Sequence, residues 1–164
     1  MKIRNAEIKD ANDIVRLLHQ VLEVHAAIRP DIFLSGTTKY DAAKVTELIC
    51  DDNRRSYVAE NDEGAVVGYA LCEIQEQKDP NKVPMRMLFV DDICVDETER
   101  GKHTGTLLFG HVKEEAKRLG CYEVTLNVWE GNRPAKAFYG KMGMKPKEIR
   151  MELILGKDNN DGTV

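Results

Sequence analysis

An α/β fold with a mixed central sheet and helices on both faces is what this sequence predicts. Three observations carry the prediction. Strand-like and helix-like segments alternate in the order β-α-α-β-β-β-α-β-α-β. Turn residues close each segment within a few positions. The 164 residues, 42% of them apolar, suffice for one core and show no sign of a second domain.

The elements follow in order. Lys2–Ala6 forms a short strand, and Asp10 then caps a helix whose apolar positions Ile14, Leu17, Leu18, Val21 and Leu22 recur at helical spacing up to Pro30. Arg29–Lys39 is a loop with Pro30 and Gly36, and Tyr40–Asp51 is a second helix. Ser56–Glu60 and Ala65–Gln75 flank the turn Asn61-Asp62-Glu63-Gly64, a hairpin signal. After a polar loop, Arg86–Val95 is an apolar strand interrupted by Asp91 and Asp92. A helix over Thr104–Leu119 carries the stripe Leu107, Leu108, Val112, Ala116 and Leu119, and Gly120 stops it. Glu123–Trp129 alternates as a strand, and Asn132 caps a short helix with Pro134 in its first turn and Ala135, Phe138, Tyr139 and Met142 inward. Glu148–Leu155 is expected as the last strand, so that residues 1–156 form one domain and 157–164 a disordered polar tail.

Composition excludes several classes. A formal charge of −4 with no basic stripe argues against nucleic acid. No cationic leader and no 18-residue apolar run is present, which points to a cytoplasmic protein without a membrane partner. Cys50, Cys72, Cys94 and Cys121 lie 22 to 27 residues apart with no C-x-x-C pair, so reduced thiols are expected and no metal site.

The segment from Val95 to Thr106 runs from a strand into a helix. Exposed amides and the positive helix end make such a turn an anion site, with Gly101 and Gly105 allowing close approach and Arg100 and Lys102 adding charge. It lacks the G-x-x-x-x-G-K-[ST] arrangement of a nucleotide-binding P-loop, which disfavours a nucleotide-binding regulator.

Arg100-Gly101-Lys102-His103-Thr104-Gly105 resembles the R/Q-x-x-G-x-G/A signature of the GNAT superfamily of acyl-CoA-dependent acyltransferases, with His103 where the first signature glycine stands. The block Leu126–Met144, including Asn132, Ala135, Phe138, Tyr139 and Gly143, resembles the family's late strand–helix block. The resemblance spans about residues 2–155. It implies a mostly antiparallel sheet whose fourth and fifth strands splay apart to admit the pantetheine of acetyl-CoA. Backbone around Ile93, Cys94 and Val95 would pair with that arm. Arg100, Gly101, Lys102, His103, Thr104, Gly105 and Thr106 would cradle the pyrophosphate, and Asn132 and Tyr139 would meet the arm and the thioester sulfur. The resemblance also implies an N-acetyltransferase acting on an amino group of a small molecule or peptide, and a possible homodimer. A non-catalytic acyl-CoA-binding module of the same fold is the alternative.

Acetyl transfer to an amine needs a base, an oxyanion donor and a proton for the departing thiolate. Tyr139 suits the last role. Side chains alternate along a strand, so Phe89, Asp91, Ile93 and Val95 share one face and Asp92 and Cys94 the other. In the family's register, counted back from Val95, the resemblance implies that Asp91 looks into the substrate cleft and, acting through a water, is the candidate base, with a structural role for Asp92 and Glu73 a further candidate. For the acceptor the candidates are His25, Arg29, Phe33 and Glu73, although for Arg29 an internal pair with Asp31 or a helix C-cap is the favoured reading. The run EVHAAIRPDIF, Glu23–Phe33, resembles one in bacterial GNAT proteins of unassigned substrate.

Overall fold

A computed structural model describes residues 1–156; the polar tail expected at 157–164 lies outside the described residues. Strands β1 (Lys2–Asn5), β2 (Arg54–Glu60), β3 (Val66–Gln77), β4 (Met85–Val95) and β5 (Glu123–Leu126) form a single sheet in sequence order. All neighbours run antiparallel except β4 and β5, which are parallel.

Strand alternation divides the core in two. Val58, Tyr69 and Leu71 point to helices α1 (Ala11–Ile28) and α2 (Ala42–Cys50), meeting Ile14, Leu17, Leu18, Val45 and Leu48. Tyr57, Ala70 and Cys72 point the other way, to α3 (Thr104–Arg118), where Leu108, Phe109, Val112 and Ala116 are buried. Helix α4 (Arg133–Lys141) adds Phe138 and Tyr139 to that second layer. The predicted mixed sheet with helices on both faces is therefore the observed one. Leu107 departs from its expected stripe: it is half exposed, and Phe109 takes the inward place.

Two strand expectations fail. β5 ends at Leu126 instead of Trp129. Glu148–Leu155 forms no strand: Ile149, Met151, Leu153, Ile154 and Leu155 are between 68% and 86% exposed. Its alternation is that of a half-buried strand, but it has no hydrogen-bonded neighbour among the described residues, and none of them buries it.

At the end of β4, buried Asp96 accepts from Arg16 Nη1 at 2.5 Å, Thr98 N at 3.1 Å and Thr98 Oγ1 at 2.9 Å. This ties α1 to the strand end that opens the functional cavity. The Arg16 hydrogen bond holds the Asp96 carboxyl down at about 2, against the upward push of burial. A depressed carboxyl stabilises the fold above its unfolded pKa and loses that contribution as pH falls through the folded one. Asp96→Ala is expected to cost about 2 kcal/mol at neutral pH. Urea midpoints of the two proteins should converge as pH falls from ~4 towards ~2.

Candidate active site

β4 and β5 pair only as far as Val90 and Leu126. Beyond that point β4 continues to Val95 while β5 has ended, so the edge of Asp91–Val95 faces away from any strand. The Asp96 amide donates to Val67 O on β3 at 2.8 Å. Amides alternate sides along a strand, so Cys94 N–H also faces β3, and the N–H groups of Ile93 and Val95 face the open edge. This gap is the splay that the motif resemblance implies.

A cavity of about 710 Å³ occupies the gap. Its walls include Ile93, Cys94 and Val95 on β4, Val21 and Val24 on α1, and Asn132, Pro134, Ala135, Phe138 and Tyr139 around α4. The floor is the loop into α3, with Arg100, Gly101, His103, Thr104, Gly105 and Thr106. The N-termini of α3 and α4 thus meet one space, and their unpaired amides and positive dipole ends favour a bound anion. Asn132 Oδ1 caps α4 by accepting from Ala135 N at 3.2 Å. Thr104 Oγ1 is buried without a hydrogen-bond partner in this wall. An orphaned hydroxyl beside two helix starts fits the phosphates of a coenzyme A.

The loop has two left-handed residues, Gly101 at φ 82° and His103 at φ 65°. Glycine adopts this region freely, whereas a side chain is strained there by roughly 1 kcal/mol. His103 occupies the position where the signature expects glycine, and the backbone keeps glycine's conformation. Lys102 does not line the cavity; its ammonium pairs with Glu99 at 2.9 Å.

Tyr139 lies against Phe109 and Phe138, at 5.7 and 5.3 Å between ring centroids, with its phenol on the cavity. Burial, reinforced by the charge of Asp92, pushes that phenol well above its ordinary range. It stays protonated at neutral pH, as a proton donor must. Burial likewise pushes the Cys94 thiol up to about 12, so it lines the wall as an inert thiol.

The acids of β4 do not obey simple alternation. Leu71 pairs with Asp92 and Cys72 with Val90, which leaves Asp91 as an extra residue in a β-bulge. The bulge turns both carboxylates to the α1–α2 side, correcting the expectation that they lie on opposite faces. Asp91 accepts from Tyr40 Oη at 2.8 Å and Lys39 Nζ at 2.9 Å. Asp92 accepts from Tyr69 Oη at 2.6 Å. Burial pushes the Asp92 carboxyl up, against the downward pull of the Tyr69 hydrogen bond.

Of the acceptor candidates, His25 and Phe33 come together at 5.2 Å, and Phe33 meets Trp129 edge-on at 5.2 Å. Burial lowers the His25 pKa, leaving a neutral ring at pH 7. A Cβ on Gly131 would stand 2.5 Å from Ile28 Cγ2, so glycine is what lets the β5–α4 loop close on the end of α1. Arg29 is already engaged, by Asp31 at 2.8 and 2.6 Å and Glu152 at 2.7 and 3.1 Å. Glu73 pairs with Arg54 at 3.3 Å and stands opposite Phe89 on β4. Sequence reasoning missed Lys39 and Tyr40, which lie at the end of the α1–α2 loop with no motif to single them out. Val21 shares the apolar periodicity of the α1 core positions, so its place in the cavity wall could not be told from core, and Val24 falls outside that stripe.

Comparison with known proteins agrees with this geometry. The family model described as the acetyltransferase (GNAT) family matches residues 18–144, and the chain belongs to that family of acyltransferases. A glucosamine 6-phosphate N-acetyltransferase of Trypanosoma brucei brucei is 25% identical over 155 residues, 94% of this chain and 96% of that protein. The match to the Arabidopsis thaliana enzyme of the same name is 37% identical but confined to 62 residues, 38% of this chain and 40% of that one. A mutant of the BH1408 protein from Bacillus halodurans superposes with a TM-score of 0.91 at 29% identity, covering 94% of this chain and 99% of that one.

His103→Gly is expected to raise unfolding free energy by about 0.5–1 kcal/mol, whereas His103→Ala, with no such release, should lower it. Thermal melts of the two variants beside the parent protein decide the matter.

Proposed function

We propose that this protein moves an acetyl group from acetyl-CoA to an amino group of a small molecule or peptide. The observation that carries this is the release of β4 beyond Val90, which leaves Ile93 and Val95 amides on an open edge that runs directly into the α3 cradle. Pantetheine lies along that edge, and the pyrophosphate of the coenzyme A meets the amides at the starts of α3 and α4 together with Arg100 and Thr104.

The chain's own groups then supply each step. An alkylamine of pKa ~10.4 is free in roughly one molecule in 2,500 at neutral pH, so deprotonation costs about 4–5 kcal/mol. The acid pair on β4 receives that proton. Asp91 is pinned by two hydrogen-bond donors, while burial pushes the Asp92 carboxyl up, so the proton passes to the pair through Asp92 or through a water held by Asp91. Amine nitrogen attacks the thioester carbonyl, whose oxygen accepts from the Ile93 or Val95 amide. As the carbon–sulfur bond breaks, the Tyr139 phenol gives its proton to the thiolate and recovers one from solvent.

A cytoplasmic location and a homodimer belong to the same proposal. No described helix is long and apolar enough to cross a membrane, and the exposed apolar run Ile149–Leu155 offers a surface on which a second copy would pack.

Tyr139→Phe is expected to lower kcat at least ~tenfold with little change in KM for acetyl-CoA; an unchanged kcat removes Tyr139 from the mechanism. Calorimetry with free and acetylated coenzyme A tests the cavity itself. Binding without turnover on any amine would favour a non-catalytic acyl-CoA-binding module, and absence of binding would end both.

A further inference from the structure

The loop between α1 and α2 brings one cation to the acid pair. Lys39 Nζ lies 2.9 Å from Asp91 Oδ1, 3.0 Å from the Asp91 carbonyl oxygen and 3.7 Å from Asp92 Oδ2. It also stands 5.1 Å from the centroid of the Tyr40 ring. Two carboxylates, a carbonyl and an aromatic face around a single ammonium are the parts of a primary-amine receptor.

The occupant and its walls differ in one respect. The Lys39 side chain is 37% exposed on a loop, whereas those of Asp91 and Asp92 are 15% and 9% exposed on a paired strand. Asp92 Oδ1 is satisfied by Tyr69. Its Oδ2 accepts no hydrogen bond among the described residues, and 3.7 Å from Lys39 is beyond hydrogen-bond range. A carboxylate oxygen on a side chain nine-tenths buried is thus left without a donor from the described residues, facing the ammonium.

Given the acetyl-transfer reading of the adjoining cavity, we propose that Lys39 is a built-in competitor of the acceptor. Its ammonium holds the place of a primary alkylammonium, which displaces Lys39 and donates to Asp92 Oδ2. Asp91 keeps the Arg54 guanidinium at 3.9 Å throughout, and exchange of one ammonium for another never leaves buried Asp92 without its cation, a state that would be costly. An alcohol brings no charge and cannot complete the exchange, so the same device selects amines over hydroxyls.

The probe is n-butylammonium, with n-butanol as uncharged control, titrated calorimetrically at about pH 8 into the full chain with and without coenzyme A. Lys39→Met should bind n-butylammonium at least about fivefold tighter than the parent protein, and Lys39→Arg, which restores a cation, should return affinity to the parent value. Asp92→Asn placed on Lys39→Met should remove the gain, and n-butanol should show none. In turnover, Lys39→Met should lower KM for primary amines more than it alters kcat. Unchanged or weakened butylammonium binding by folded Lys39→Met overturns the proposal; Lys39→Gln serves the same criterion should the first variant not give a cooperative melt. Coenzyme A heats on the same samples separate the two failures. A retained gain without coenzyme A binding sinks acetyl transfer and leaves the ammonium receptor, and coenzyme A binding without the gain does the reverse.

Discussion

The release of β4 from β5 after Val90 is the constraint on which the rest depends. A parallel pair that continued would bury the amides of Ile93 and Val95 in a ladder and close the cavity. Because β5 stops at Leu126, those amides remain available, and the same strand leads without a break into the loop before α3. Arg16 and Asp96 hold that strand end against α1. Binding edge and anion cradle are therefore one continuous stretch of backbone, positioned by the sheet behind it.

The bulge at Asp91 is the second consequence of where β4 sits. It adds one residue against β3 and so turns two consecutive acids to one side. Two carboxylates that close are tolerated because Tyr69, Tyr40 and Lys39 donate to them and a second cation, Arg54, stands 3.9 Å from Asp91. The electrostatic balance of the site is thus set by residues from β2, β3 and the α1–α2 loop as much as by β4 itself.

Most of the architecture was legible in the residues. The stripes of α1 and α3, the turn at Asn61–Gly64 and the caps at Asn132 and Gly120 are local signals, and local signals survive folding. The strand-to-helix turn at the cavity floor was legible too, since Gly101 and Gly105 mark it. Three features were not. The bulge shifts parity at Asp91 through pairing with Leu71 and Cys72, distant partners that no window on β4 contains. Glu148–Leu155 carries a strand's alternation, but a pattern cannot say whether a neighbour exists to bury it. Lys39 reaches the acids across 52 residues of sequence from an irregular loop, where no periodicity connects the two.

The proton chemistry follows from burial acting on two unlike acids. Burial raises both the Asp92 carboxyl and the Tyr139 phenol, because it penalises the charged form of each. For a carboxylate that makes a better proton acceptor; for a phenol it secures a donor that is always loaded. The charge of Asp92 is felt at Tyr139, so neutralising the carboxylate eases formation of phenolate. In the proposed transfer, acceptance of the amine's proton at one group would therefore lower the cost of giving a proton at the other, in the order that the reaction requires. A cation parked on the acids would oppose the first event, so Lys39, half-exposed on the α1–α2 loop, is placed to govern when the proposed sequence begins.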